Sequence, residues 1–256
     1  MQHTFTLAAW NFRLARRYLL ALWGIFAAQQ AAVILWRAAQ PGAAGLGLAS
    51  HYYDTMQIFV YLGFYLLTAL AAGMATHNSR RARSGYTWAT LPGTPGQKFA
   101  AKAITIAAAE LVFAAWQLVW YIVEFYPVTA LEGWRRRQLY GAVLPAANLY
   151  EQVVANNLFA RLLPRRPAQI VILLGILALS AAMLAALDTV RGWRKLPVFA
   201  SGLFCAWVCF GIVSIEQHLA WLLDEPRYAL RIAAAAVLAV LTVWWAVRSI
   251  RRGEAV

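Results

Sequence analysis

The chain has 256 residues, 62% of them hydrophobic and only 13% charged, with 23 Lys and Arg against 10 Asp and Glu for a net charge of +13. A soluble domain of this length carries about a quarter charged residues, so the composition excludes an ordinary water-soluble globule. The cations lie beside long apolar runs and form no basic domain of their own, which reads against nucleic acid and for loop charge facing anionic headgroups.

Residues 1–17 are predicted to form an amphipathic helix in the cytoplasmic interface. Gln2, Thr6, Arg13 and Arg17 recur at helical spacing, while Phe5, Ala8, Phe12 and Leu14 supply apolar positions. About 20 apolar residues cross the hydrocarbon core, and six runs qualify: 18–36, 56–75, 103–123, 168–187, 196–215 and 228–247. Between the second and third lies 79–102, a turn-rich loop carrying Arg80, Arg81, Arg83, Lys98 and Lys102. Lipid does not tolerate such a polar backbone, and its cations mark it as the most strongly cytoplasmic segment.

The 124–167 segment is predicted to be external. Asn148-x-x-Glu151 reads as a capping box, and Leu149, Val153, Leu158 and Leu162 follow helical spacing until Pro164. The helix they predict either rests at the outer interface or belongs to a re-entrant arrangement. With the N-terminus inside, fourteen cations fall on the inner side and nine on the outer, six of those nine in 124–167. Both termini are therefore predicted cytoplasmic, with one local violation. The fold class expected is an all-α membrane protein, a single domain over 1–256 with six transmembrane helices and an interfacial N-terminal helix.

Motifs for soluble chemistry are missing from the sequence. There is no Walker A loop, H-E-x-x-H or G-x-S-x-G. His3, His51, His77 and His218 fall in the tail or in expected loops and read as interfacial. Cys205 and Cys209 share one helical face and read as reduced packing residues, so no metal site is expected. The 12 tryptophans read as a headgroup belt. The third run is more informative, because Glu110, Gln117 and Glu124 are spaced seven and seven and share one face. A carboxylate at membrane depth should face protein or a watery path. The stripe thus reads either as a transport path or subunit interface, or as buried groups bonded to neighbouring helices.

Leu91-Pro-Gly-Thr-Pro-Gly-Gln-Lys98-Phe99 resembles the leucine-proline … lysine-phenylalanine signature between the second and third spans of ABC-exporter permeases. It aligns without a gap to the bacterial variant L-P-A-S-N-L-E-K-F, matching at Leu91, Pro92, Lys98 and Phe99. Trp193-Arg194-Lys195 before the fifth run is a second, weaker likeness. About 25 residues carry the resemblance in sequence, and the span plan follows it in outline.

The resemblance implies a type-2 ABC exporter permease of the bacterial inner membrane. In that family this loop forms a coupling helix docked into a separate ATPase subunit. Arg80, Arg81, Arg83, Trp88, Leu91, Pro92, Lys98, Phe99 and Lys102 would then form the coupling element, and Trp193, Arg194 and Lys195 a second cytoplasmic loop. A second permease copy or sibling would complete the path. No cofactor is expected on this chain; ATP and Mg would sit on the partner ATPase, and the chain itself would not be an enzyme. The alternatives are a polytopic membrane enzyme or electron-transfer subunit using Glu110 or the histidines, or a non-transporting assembly factor. Lipid-headgroup binding is the competing reading of the 79–102 loop.

Overall fold

A computed structural model describes residues 2–43, 46–74, 91–141, 148–156, 158–159, 167–190, 192–214 and 226–252. Among them every regular element is helical. In chain order they are α1 (Gln2–Ala38), α2 (Leu48–Asp54), α3 (Gln57–Met74), α4 (Pro95–Tyr140), α5 (Leu149–Ala155), α6 (Pro167–Thr189), α7 (Lys195–Ser214) and α8 (Pro226–Arg251), with 3-10 turns at Pro41–Ala43 and Gly192–Arg194.

A helix lies over each of the six apolar runs. Three of the described helices (within α1, α4 and α8) are long and apolar enough to cross a membrane, and a fourth crossing is added if α2 and α3 count as one bent span. Large apolar side chains are exposed along these helices, among them Phe59, Leu62, Leu66 and Leu67 on α3, Leu111, Val119 and Val123 on α4, and Val237, Val240 and Leu241 on α8. Exposed apolar surface on this scale fits hydrocarbon rather than water. The protein is membrane-embedded.

Three boundaries differ from the sequence-based expectation. The interfacial helix and the first span are one continuous helix of 37 residues, because no proline and only Gly24 interrupts the stretch. At 1.5 Å per residue it is about 55 Å long, well beyond the roughly 30 Å of hydrocarbon. Arg13, Arg16 and Arg17 keep their exposed face, but Leu7, Asn11, Ala15 and Leu19 are buried against protein.

The second difference is α4, whose 46 residues take in both the end of the 79–102 loop and the first part of the segment expected to be external. Arg135 to Arg137 close it, where cations complement the helix dipole. Pro127 sits inside it, on an exposed face.

Third, the amphipathic helix expected from residue 149 is short. Asn148 caps it, its side chain accepting from Tyr150 N at 3.1 Å. The helix stops at Ala155, where Asn156 turns its Oδ1 to accept from Leu158 N at 2.9 Å and so competes with the helical ladder. Leu162 and Pro164 lie outside the described residues.

The second span is also bent. α2 and α3 meet at 75°, and Met56, expected to begin the span, holds a left-handed φ of 51° at the corner. Thr55 closes α2 with its N and Oγ1 both on His51 O, at 3.0 and 2.7 Å.

The chain divides into two compact units: Met1–Arg17 with Ala69–Glu110 and Val171–Val256, and Tyr18–Thr68 with Leu111–Ile170. The second unit has a layered aromatic interior. Phe26, Tyr61 and Phe113 touch one another, with centroids 5.1 to 6.4 Å apart. A further cluster holds Ile34, Leu48, Tyr52, Tyr121, Phe125 and Phe159. Lipid is as apolar as these side chains, so burial alone drives little helix association in a membrane. Ring geometry worth about 0.5–1.5 kcal/mol per pair and buried hydrogen bonds decide the packing.

In the first unit, Met183, Cys205, Val208 and Ala235 form one cluster. Cys205 is a buried packing residue whose Sγ lies 3.6 Å from Ala235 O. The side chain of Cys209 lies outside the described residues.

Candidate functional site

Two constellations stand out, one in each unit. The first grows from the L-P…K-F stretch. Thr94-Pro-Gly-Gln97 is a capping box: Thr94 N donates to Gln97 Oε1 at 2.9 Å, and Gln97 N donates to Thr94 Oγ1 at 3.2 Å. Pro95 occupies the first helical position, where its missing N–H costs nothing. The Pro-Gly-rich middle of the motif is thus the N-terminus of α4, entered through Gly93 at φ 148°, a backbone conformation that favours glycine. Thr94→Val is expected to remove one side of the box and cost about 1 kcal/mol, read as a lower melting temperature.

The residues after the cap turn inward. Phe99 and Lys102 are 6% and 3% exposed, and Lys98 is buried too. Leu91 and Ile104 pack on Leu7, Ala8 and Ala101. Lys102 Nζ pairs with Asp188 Oδ2 of α6. Thr105 Oγ1 lies 2.8 Å from Ala101 O and 3.2 Å from Ala8 O. Lys98, Phe99 and Lys102 therefore brace the start of α4 within the chain, and Phe99 is not a free aromatic anchor. Pro92, Gly93, Thr94 and Gly96 carry the exposed surface. Arg80, Arg81, Arg83 and Trp88 lie outside the described residues. Trp193, in the turn before α7, is 90% exposed, and Arg194 beside it is exposed as well, while Lys195 is half-buried.

The Glu110, Gln117, Glu124 stripe is wholly buried, at 0%, 0% and 4% exposure, but its members do different things. Glu110 belongs to the first unit, where Ser180 Oγ lies 3.0 Å from its Oε2. Gln117 and Glu124 are joined in the second unit by Tyr52, whose hydroxyl donates to Glu124 Oε2 at 2.6 Å and accepts from Gln117 Nε2 at 3.3 Å.

Beside this trio is a second carboxylate centre. Glu132 Oε1 takes Gly47 N at 3.1 Å and His51 Nε2 at 2.6 Å, and its Oε2 lies 3.8 Å from Arg136 Nη2. Gln152 reaches over from α5, its Oε1 accepting from Ala49 N at 3.0 Å and its backbone carbonyl accepting from Tyr121 OH at 2.9 Å. His51 is fully buried on a helix, which corrects its reading as an interfacial loop histidine. The imidazole and the carboxylate share one short hydrogen bond, so each fixes the orientation of the other.

Glu132 falls in the 124–167 segment that the sequence predicts to be external, outside the stripe. At 100° per residue it sits about 40° around the helix from Glu110, but the seven-residue spacing of the stripe leads to Leu131 and so misses it by one position.

Gly47 shows how tightly this second centre is closed. Its φ is 79°, and a Cβ there would stand 2.7 Å from Gln152 Oε1. Gly47→Ala is expected to cost about 1–3 kcal/mol through strain and the displaced amide, measurable by thermal unfolding in detergent.

Chemically, the cluster holds buried carboxylates by donors and fixes the α2 corner. Among the described residues no group of three or more His, Cys, Asp or Glu is placed to hold a metal. No protein-family model matches the chain, and neither curated proteins nor solved structures show similarity to it.

Proposed function

We propose that the chain is the transmembrane subunit of an ABC-type exporter, working with a separate ATPase subunit. In this reading α1, the α2–α3 pair, α4, α6, α7 and α8 supply six crossings, with both termini in the cytoplasm of a bacterial cell. Two permease subunits, two copies or a copy and a sibling, enclose the path. ATP and Mg belong to the ATPase chains.

The observation that carries the reading is the bracing of the L-P…K-F stretch. Its exposed tip, at Pro92 to Gly96, leads directly into a capped helix. That helix start is tied to α1 through Ala8 and to α6 through Asp188. A push on the tip reaches three helices at once, as a coupling element requires. By composition, the cations at 80, 81 and 83 and the indole at 88 are of the kinds that suit a protein groove.

Copurification from native membrane in mild detergent, followed by mass spectrometry, tests this. The expected result is a stoichiometric partner bearing G-x-x-x-x-G-K-[ST], lost on Pro92→Asp. Lys102→Met should keep the partner and reduce transport-linked ATP hydrolysis about tenfold, roughly 1.4 kcal/mol of coupling. A preparation that retains other membrane complexes but never contains an ATPase would overturn the exporter reading.

A further inference from the structure

Gln30, Gln57 and Gln117 are each 0% exposed. Gln30 lies one turn after Phe26, Gln117 one turn after Phe113, and Gln57 one turn before Tyr61. Those three rings form the mutually touching layer described above. The helix directions follow from the contacts. Trp23 bonds Thr68 while Phe26 meets Phe64, so α1 and α3 are antiparallel; Ile34 clusters with Tyr121 while Phe26 meets Phe113, so α1 and α4 run together. One turn beyond the rings, the three glutamines consequently enter one layer. Gln117 Nε2 on Tyr52 OH marks the side of that layer facing α2.

Four of the atoms in this layer are Gln30 Oε1 and Nε2 and Gln57 Oε1 and Nε2; each is buried without a hydrogen-bond partner among the described residues, as is Gln117 Oε1. Buried amide atoms need hydrogen-bond partners, and two wholly unpartnered amides beside the open oxygen of a third point to an occupant. The pattern of open atoms selects its chemistry. A cation would satisfy the carbonyl oxygens and strand the NH₂ groups, and an anion would do the reverse. A hydroxyl group both donates and accepts, and it carries no charge.

We propose that Gln30, Gln57 and Gln117 form a buried, uncharged binding site for hydroxyl groups, supplied either by water or by a polyol. The site adjoins the Tyr52–Glu124 pair, so the occupant extends one polar layer from the three amides to that carboxylate.

The test uses the full chain in nanodiscs with 15N-labelled glutamine, following magnetisation transfer from water to side-chain amides, with and without myo-inositol. Gln30→Glu and Gln57→Glu assign the signals while keeping side-chain size. Strong transfer to the Gln30 and Gln57 amides that inositol leaves unchanged supports the site with water as its source. Amide shifts that saturate with inositol, and are lost in either variant, support it with a polyol as its source. Because the occupant is shared, the variant at one position is expected to alter the amide signal at the other. Absence of both water transfer and inositol shifts in the wild-type chain overturns the proposal. Gln57→Leu removes two of the groups that hold the occupant, so it is expected to weaken water transfer or the inositol shift at Gln30 as well.

Discussion

Glu132→Ala is expected to be among the most destabilising single substitutions in the chain, at about 3–5 kcal/mol. The carboxylate is 5% exposed and serves Gly47 N, His51 Nε2 and Arg136. Its removal strands a buried imidazole and a buried backbone N–H, and takes the counter-charge from a mostly buried guanidinium. Breaking one partner of a buried charged set costs far more than the set contributes, because the remaining groups keep their desolvation penalty. Glu132→Gln keeps an acceptor and should lose less than half as much. Equal losses for the two variants, in unfolding monitored by tryptophan fluorescence, would show that shape rather than hydrogen bonding matters at this position.

Asp188→Ala should follow closely, at about 3 kcal/mol, by leaving Lys102 buried without its carboxylate. The two side chains are only 4% and 12% exposed, so solvent screening gives little relief. The double variant Lys102→Met with Asp188→Leu replaces the pair by apolar volume and should recover most of the loss. A double variant no more stable than Asp188→Ala would mean that the pair contributes geometry that hydrophobic packing cannot replace. The distinction bears on coupling too, since Lys102 lies just two turns beyond the capped start of α4.

The sequence made the helical content legible because apolar runs of membrane length have few other solutions. It also showed that Gln117 and Glu124 share a face, and the structure joins them through Tyr52. Continuity was harder to read. The basic face of residues 13–17 looked like an interface, yet cations on one face do not stop a helix while the opposite face packs on protein, as Leu7 and Ala15 do. Thr94-Pro-Gly-Gln97 carried a helix-start signal that its position inside a charged, Gly-Pro-rich stretch concealed. The corner at Met56 had no local signal at all: an unbranched residue took up a left-handed φ whose penalty of about 1–2 kcal/mol is offset by tertiary bonds. His51 could be read correctly only with Glu132 as its partner, 81 residues away in the chain.

That separation has a consequence for biogenesis. The backbone of the α2 corner is completed by acceptors made much later: Gly47 N waits for Glu132, and Ala49 N waits for Gln152, 103 residues downstream. During synthesis the emerging corner has no acceptors of its own for these groups, and bare hydrocarbon offers none. Until α4 and α5 have been made, water is the partner left for these two N–H groups. A nascent chain arrested before residue 132 would present an unsatisfied, protease-accessible corner. The finished chain closes it, because both acceptors are then in place.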